Sequence, residues 1–92
     1  MTEEQRKRIE SVIKTHDDSY RMAESTVLDF FKGEETRTVD SIVAQLSTLS
    51  GGSYFEQKIL YTIAKLLLEG KLMIKEGGNG NEFGSYVIGN AK

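Results

Sequence analysis

The chain contains no cysteine, no proline and only one histidine, and it has no excess of basic residues. Without cysteine, neither a disulfide nor a thiolate metal ligand can staple the core, which fits a reducing compartment. Without proline, nothing forces a helix to stop or kink, so helix ends must be set by glycine and by capping side chains. One histidine cannot assemble a zinc site unless several carboxylates join it, so no metal and no cofactor are expected. No apolar run approaches the roughly 20 residues of a membrane span. The start, Thr2-Glu3-Glu4-Gln5, is not the basic-then-apolar opening of a signal peptide. A cytoplasmic protein away from membranes is expected. There is no Walker lysine and no nucleophile elbow, and Gly78-Asn79-Gly80 is followed by a strand pattern where a phosphate-binding glycine loop needs a helix. No nucleophile–base set can be drawn, and an enzyme is not expected.

The net charge is −2, and it is unevenly spread. Residues 1–16 carry Arg6, Lys7, Arg8 and Lys14 against Glu3, Glu4 and Glu10, a net of +1, leaving −3 on residues 17–92. A dedicated nucleic-acid binder usually has a basic excess, because phosphate neutralisation supplies most non-specific affinity. The overall charge therefore argues against DNA, although only a local patch has to be basic. A chain of 92 residues is one small domain, and domains of this size often gain stability by pairing.

Residues 2–32 contain neither glycine nor proline. Ile9, Ile13, His16, Tyr20, Ala23, Val27 and Phe30 follow one another at steps of four and three, widened by Val12 and Phe31, which is a heptad-like seam. Two readings stand open. A short helix ends near Thr15 and a new one is capped by Asp17 or Asp18, as the capping-rich stretch Thr15-His16-Asp17-Asp18-Ser19 suggests. Alternatively, one long helix runs to Lys32, as the unbroken seam suggests. Gly33 ends the segment in both. Arg37-Thr38-Val39 has room for a very short strand. Thr38 then caps a second helix with Val39, Ile42, Val43, Leu46 and Leu49 on one face. Residues 47–53 form a turn.

A third helix opens with a Ser53…Glu56 capping box and runs to Gly70. Ile59, Leu60, Ile63, Leu66 and Leu67 form its apolar stripe. At 100° per residue Tyr54, Lys58, Tyr61, Thr62 and Lys65 fall together on the opposite face, with Gln57 at the margin. A strand at 72–76 follows. After it come the Gly/Asn loop holding Asn79 and Asn81, and a second strand at 84–88.

This order resembles the winged helix-turn-helix superfamily over about residues 17–89. The passage Leu66-Leu67-Leu68-Glu69-Gly70-Lys71-Leu72 looks like that family's helix-to-strand exit. The resemblance implies an α+β fold with a three-helix core (17–32, 39–49, 54–69) and a C-terminal β-hairpin wing. An additional or extended N-terminal helix at 1–16 precedes the winged-helix domain at 17–92. It further implies double-stranded DNA as partner, with the third helix in the major groove. There Lys58 and Lys65 would meet phosphates, Tyr54 would sit at the helix start, and Gln57, Tyr61 and Thr62 would lie nearest the bases. The wing and its flanks would add Arg37, Lys71, Lys75, Asn79 and Asn81. The wing loop itself carries Glu76 and Glu82 and no basic residue, where minor-groove wings usually carry arginine or lysine. Asn-Gly at a hairpin tip also has a sufficient local reason in turn geometry. The N-terminal seam, through Ile9, Val12, Ile13, His16 and Tyr20, is expected to make a homodimer, with packing on its own domain as the alternative. The expected function is a small DNA-binding transcriptional regulator of bacterial or phage type. The competing expectation is a winged-helix module that binds a protein and not DNA, favoured by the acidic balance, the non-basic wing and the paired tyrosines.

Overall fold

Thr2 and Gln5 start the first helix by reciprocal capping. The Gln5 amide donates to the Thr2 hydroxyl (3.1 Å) and the Thr2 amide to the Gln5 side chain (2.9 Å). This helix, α1 (Glu3–Lys14), has acidic residues in its first turn and Lys14 in its last, the order the helix dipole favours. Thr15 closes it. Asp17 then takes an extended conformation and its carboxylate accepts the Ser19 amide, opening a 3-10 turn at Asp18–Tyr20. Of the two readings of residues 2–32, the broken helix is therefore the one found.

The structure is a computed structural model that describes residues 1–33, 35–49, 56–77 and 82–91. Beyond α1 its elements are α2 (Glu24–Leu28), β1 (Thr36–Thr38), α3 (Val39–Leu49), α4 (Glu56–Leu68), β2 (Leu72–Glu76) and β3 (Val87–Asn90). Further 3-10 turns lie at Asp29–Phe31 and Phe83–Ser85. The sheet is antiparallel in the order β1-β3-β2, with Arg37 opposite Ile88 and Ile74 opposite Ile88 on the other side. This α+β arrangement is compatible with a winged-helix-like one. No helix of the described residues is long and apolar enough to cross a membrane.

Several expected boundaries hold. The second core helix is α3 with the expected limits, and the first hairpin strand is β2 at 72–76. Gly70 ends α4 as a Schellman turn: the Lys71 amide bonds the Leu66 carbonyl (3.0 Å), the Gly70 amide bonds that of Leu67 (3.3 Å), and Gly70 sits at φ +76°. Two expectations need correction. The helix expected over 17–32 is two 3-10 turns and the short α2, because the chain turns extended at Arg21 and the Met22 amide bonds the Thr62 side chain of α4 in place of a helical carbonyl. The second wing strand begins at Val87 and not at 84, because Tyr86 and Ser85 are tied back into the 3-10 turn by the Phe83 and Glu82 carbonyls. The Ser53…Glu56 capping box lies outside the described residues.

The core runs through all layers. Ile9, Val27, Phe31, Val39, Ile42, Ile59, Ile63, Leu66, Leu72 and Ile88 are buried together. Ile9 comes from α1, which packs along α4. Val12 and Ile13 pack against the same core, and His16 stacks on Tyr20 with ring centroids 4.0 Å apart. Part of the seam read as a dimerisation surface is thus used within the chain, while Val12, Ile13, His16 and Tyr20 stay half-buried. Ile9 is wholly buried and has no surface to offer a second copy.

Truncating Ile9 should consequently unfold the chain and not merely separate two copies. Ile9→Ala is expected to lower stability by about 2–5 kcal/mol, the usual cost of a buried large-to-small change. The urea midpoint checks this, with the mass by light scattering staying that of the unmutated chain.

Candidate nucleic-acid interface on the fourth helix

The third core helix is α4, and the structure closes most of the face expected to be open. Ile59, Ile63, Leu66 and Leu67 are buried on the apolar stripe, as read from the sequence. Tyr61 and Thr62, placed on the opposite face beside the bases, are buried as well, at 2% and 0% exposed. This corrects their expected exposure. The cover is the N-terminal segment: α1 and the turn at Asp18–Tyr20 both pack on α4.

Two polar contacts fix that cover. The Tyr61 hydroxyl donates to Asp18 Oδ1 at 2.7 Å. The Met22 amide donates to the Thr62 hydroxyl at 2.9 Å, and that hydroxyl donates to the Lys58 carbonyl one turn back, also at 2.9 Å. Thr62 is the only buried polar residue among the described residues, and both its donor and its acceptor roles are met. The Asp18 contact leaves its mark on both partners. Accepting the Tyr61 hydroxyl, with the Lys65 charge adding to it, lowers the Asp18 carboxyl below its ordinary range. The same bond, helped by burial, pushes the Tyr61 hydroxyl up to about 12.

The expected cations fare unequally. Lys65 lies 3.7 Å from Asp18 Oδ1 and over the Tyr61 ring. Lys71 donates to Glu24 Oε2 at 2.7 Å and lies 3.7 Å from Glu69. Arg37 donates to the Phe30 carbonyl, stacks on the Phe30 ring and pairs with Glu35 at 3.4 Å, so it braces β1 against the preceding turn. Among the described residues, Lys58 and Lys75 have no ion pair, and Gln57 is exposed beside Lys58 on α4. Tyr54, Asn79 and Asn81 lie outside the described residues. Lys58, Tyr61 and Lys65 do share one face, as the helical spacing requires, but the positive stripe through Lys58, Lys65, Lys71 and Lys75 is interrupted by Asp18, Glu24 and Glu69.

The strongest ion pair was not read from the sequence. Both terminal guanidinium nitrogens of Arg21 donate to the Glu69 carboxylate at 2.6 Å, a bidentate fork joining the extended segment to the end of α4. Arg21 also reaches Glu24 at 3.3 Å, so Arg21, Glu24, Glu69 and Lys71 form one network. Residues 48 apart leave no local signal. Beside the network an open groove is lined by Glu24, Leu28, Gly70, Lys71, Asn90 and Ala91. Among the described residues no group of three His, Asp or Glu side chains could hold a metal ion. Comparison with protein-family models, curated proteins and solved structures gives no match to this chain.

The network sets an acid sensitivity. The hydrogen bonds from Arg21, and then its charge, hold Glu69 at about 2 against an ordinary 4.5. Glu24 and Asp18 are displaced the same way, Glu24 chiefly by Lys71. A carboxylate depressed on folding contributes stability that is complete above its unfolded value and is lost as pH falls through the folded one. The urea midpoint is therefore expected to stay level near neutrality and to fall between about 4.5 and about 2. Glu69→Gln should start lower at neutral pH and fall less steeply in that window. An unchanged acid slope in Glu69→Gln would remove the Arg21 pair from the account.

Proposed function

We propose that the chain is a winged-helix domain that works through protein contacts, with α4 withheld from DNA in the resting form. Support for the winged-helix reading is the order of helix, short strand, two helices and hairpin, together with the β1-β3-β2 sheet. Support for a protein partner comes above all from one observation. The face of α4 that would read bases is covered by the chain's own N-terminal segment, with Tyr61 and Thr62 bonded to Asp18 and Met22.

The charges point the same way. Affinity for DNA needs lysine and arginine free to displace counterions from phosphate. Here Lys65, Lys71 and Arg37 face carboxylates, and the hairpin adds Glu76 and Glu82, both exposed. A net −2 chain with Lys65, Lys71 and Arg37 paired is poorly suited to a polyanion and better suited to a partner surface of mixed charge.

Titration of a labelled duplex at about 50 mM and about 200 mM salt separates the two readings. The unmutated chain is expected to show no binding at either salt. Capture on the tagged chain from cells that express it is expected to recover one stoichiometric protein. Low-salt duplex binding that Lys58→Ala with Lys65→Ala abolishes would overturn the proposal and restore the DNA-binding regulator.

A further inference from the structure

The two faces of the sheet differ in character. Ile88 of the central strand is wholly buried in the core, and Arg37 and Ile74 stand opposite it on that face. Strand alternation puts Thr36, Thr38, Val87, Gly89 and Met73 on the other, outer face. None of them is charged. Met73 is 41% exposed, and it and Met1 are the exposed large hydrophobics among the described residues. Gly89, between Thr36 and Met73, leaves a notch at the middle of this face, the kind of place where another chain can come close. Lys75 stands at the bulge between Ile74 and Glu76 and lays its stem over the notch: a Cβ at Gly89 would be 3.2 Å from Lys75 Cε. The Lys75 ammonium has no ion pair among the described residues. Glu35 and Glu76, both exposed, stand at the margin beside Thr36 and Val87. An uncharged centre inside a charged rim is the anatomy of a protein interface.

We propose that the outer face of the β1-β3-β2 sheet is where the chain docks its protein partner, and that the partner brings an amphipathic helix whose apolar stripe carries one carboxylate for Lys75. This rests on the protein-binding reading above and adds to it the surface and the chemistry of the partner. The free ammonium at the centre of the face selects the occupant. A second copy docked face to face would set lysine against lysine, because a two-fold contact pairs a central residue with itself. A nucleic-acid backbone would meet a single cation between two exposed carboxylates. A helix is the element that covers a sheet face, and a carboxylate in its stripe meets Lys75 as the apolar residues close over Met73 and Val87. Basic residues on either side of that stripe would face Glu35 and Glu76. Removing the lysine charge then leaves the partner's carboxylate covered and unpaired, which costs binding.

Site-specific crosslinking in cells that express the full-length tagged chain tests this. A benzophenone amino acid in place of Met73 is expected to crosslink the protein that the tagged chain recovers, within a helix that has an aspartate or glutamate in its apolar stripe. The same group in place of Ser11, on the exposed side of α1, is expected to crosslink nothing. With that protein purified, Lys75→Glu is expected to weaken binding at least about tenfold and Met73→Ser to weaken it measurably, while Lys14→Glu, the same charge change on α1, leaves it within about twofold. Changing the partner's carboxylate to lysine is expected to restore binding to Lys75→Glu. Equal urea midpoints for Lys75→Glu and the unmutated chain show that the loss is one of contact and not of folding. The docking face is overturned, with the protein-binding reading left standing, if a recovered partner does not crosslink at position 73, if Lys75→Glu binds it as tightly as the unmutated chain, or if the charge swap restores nothing. If the tagged chain recovers no protein and neither position crosslinks one, the protein-binding reading falls and the docking face falls with it.

Discussion

The hydroxyl of Thr62 sits where the N-terminal segment meets α4, and much of the architecture follows from what it bonds. A buried amide must find an acceptor or cost about 1–3 kcal/mol. The Met22 amide lies in an extended stretch with no helical or strand partner, and Thr62 supplies its acceptor at 2.9 Å. That bond fixes residue 22 against the middle of α4. Arg21 then reaches Glu69 at the helix end, and Asp18 falls beside Tyr61, the residue before Thr62. The N-terminal segment is thereby carried across a face of α4 that would otherwise be solvated. A threonine in mid-helix is a weak helix former, and here its hydroxyl is what ties two segments 40 residues apart.

With that face covered, α4 becomes the axis of the molecule and not its edge. One side packs on α3 and the sheet, the other on α1. A small domain gains from this, since each layer added around a central helix raises the share of apolar surface removed from water. The electrostatics follow the packing. Chain segments brought together over α4 bring their carboxylates with them, so Asp18, Glu24 and Glu69 meet Lys65, Lys71 and Arg21. The cations that would suit a nucleic-acid face are largely engaged with the protein itself.

How much of this was legible depended on range. The limits of α3, the exit at Gly70 and the strand β2 were readable because period, cap and glycine act over a few residues. The break after Lys14 was readable as one of two options, since Asp17 and Ser19 form their turn locally. The misreading of Tyr61 and Thr62 came from the same local logic. At 100° per residue they lie opposite the apolar stripe, and polar residues there pass for a solvated face. Only partners at 18 and 22, far away in the chain, bury them. The Arg21–Glu69 fork was invisible for the same reason. The heptad spacing of the N-terminal seam was real, but spacing names a buried face and not the partner that buries it, and the partner is α4 of the same chain.

The account rests on the N-terminal segment being docked on α4, and the exchange rate of the Met22 amide reports on that docking directly. Met22 belongs to no helix or strand, so local secondary structure gives its amide no protection. Bonded to Thr62 and 8% exposed, it is expected to exchange as slowly as the central amides of α4, and to become fast in Thr62→Ala. A Met22 amide that exchanges at the rate of an unstructured peptide in the unmutated chain would contradict the covered helix and everything drawn from it.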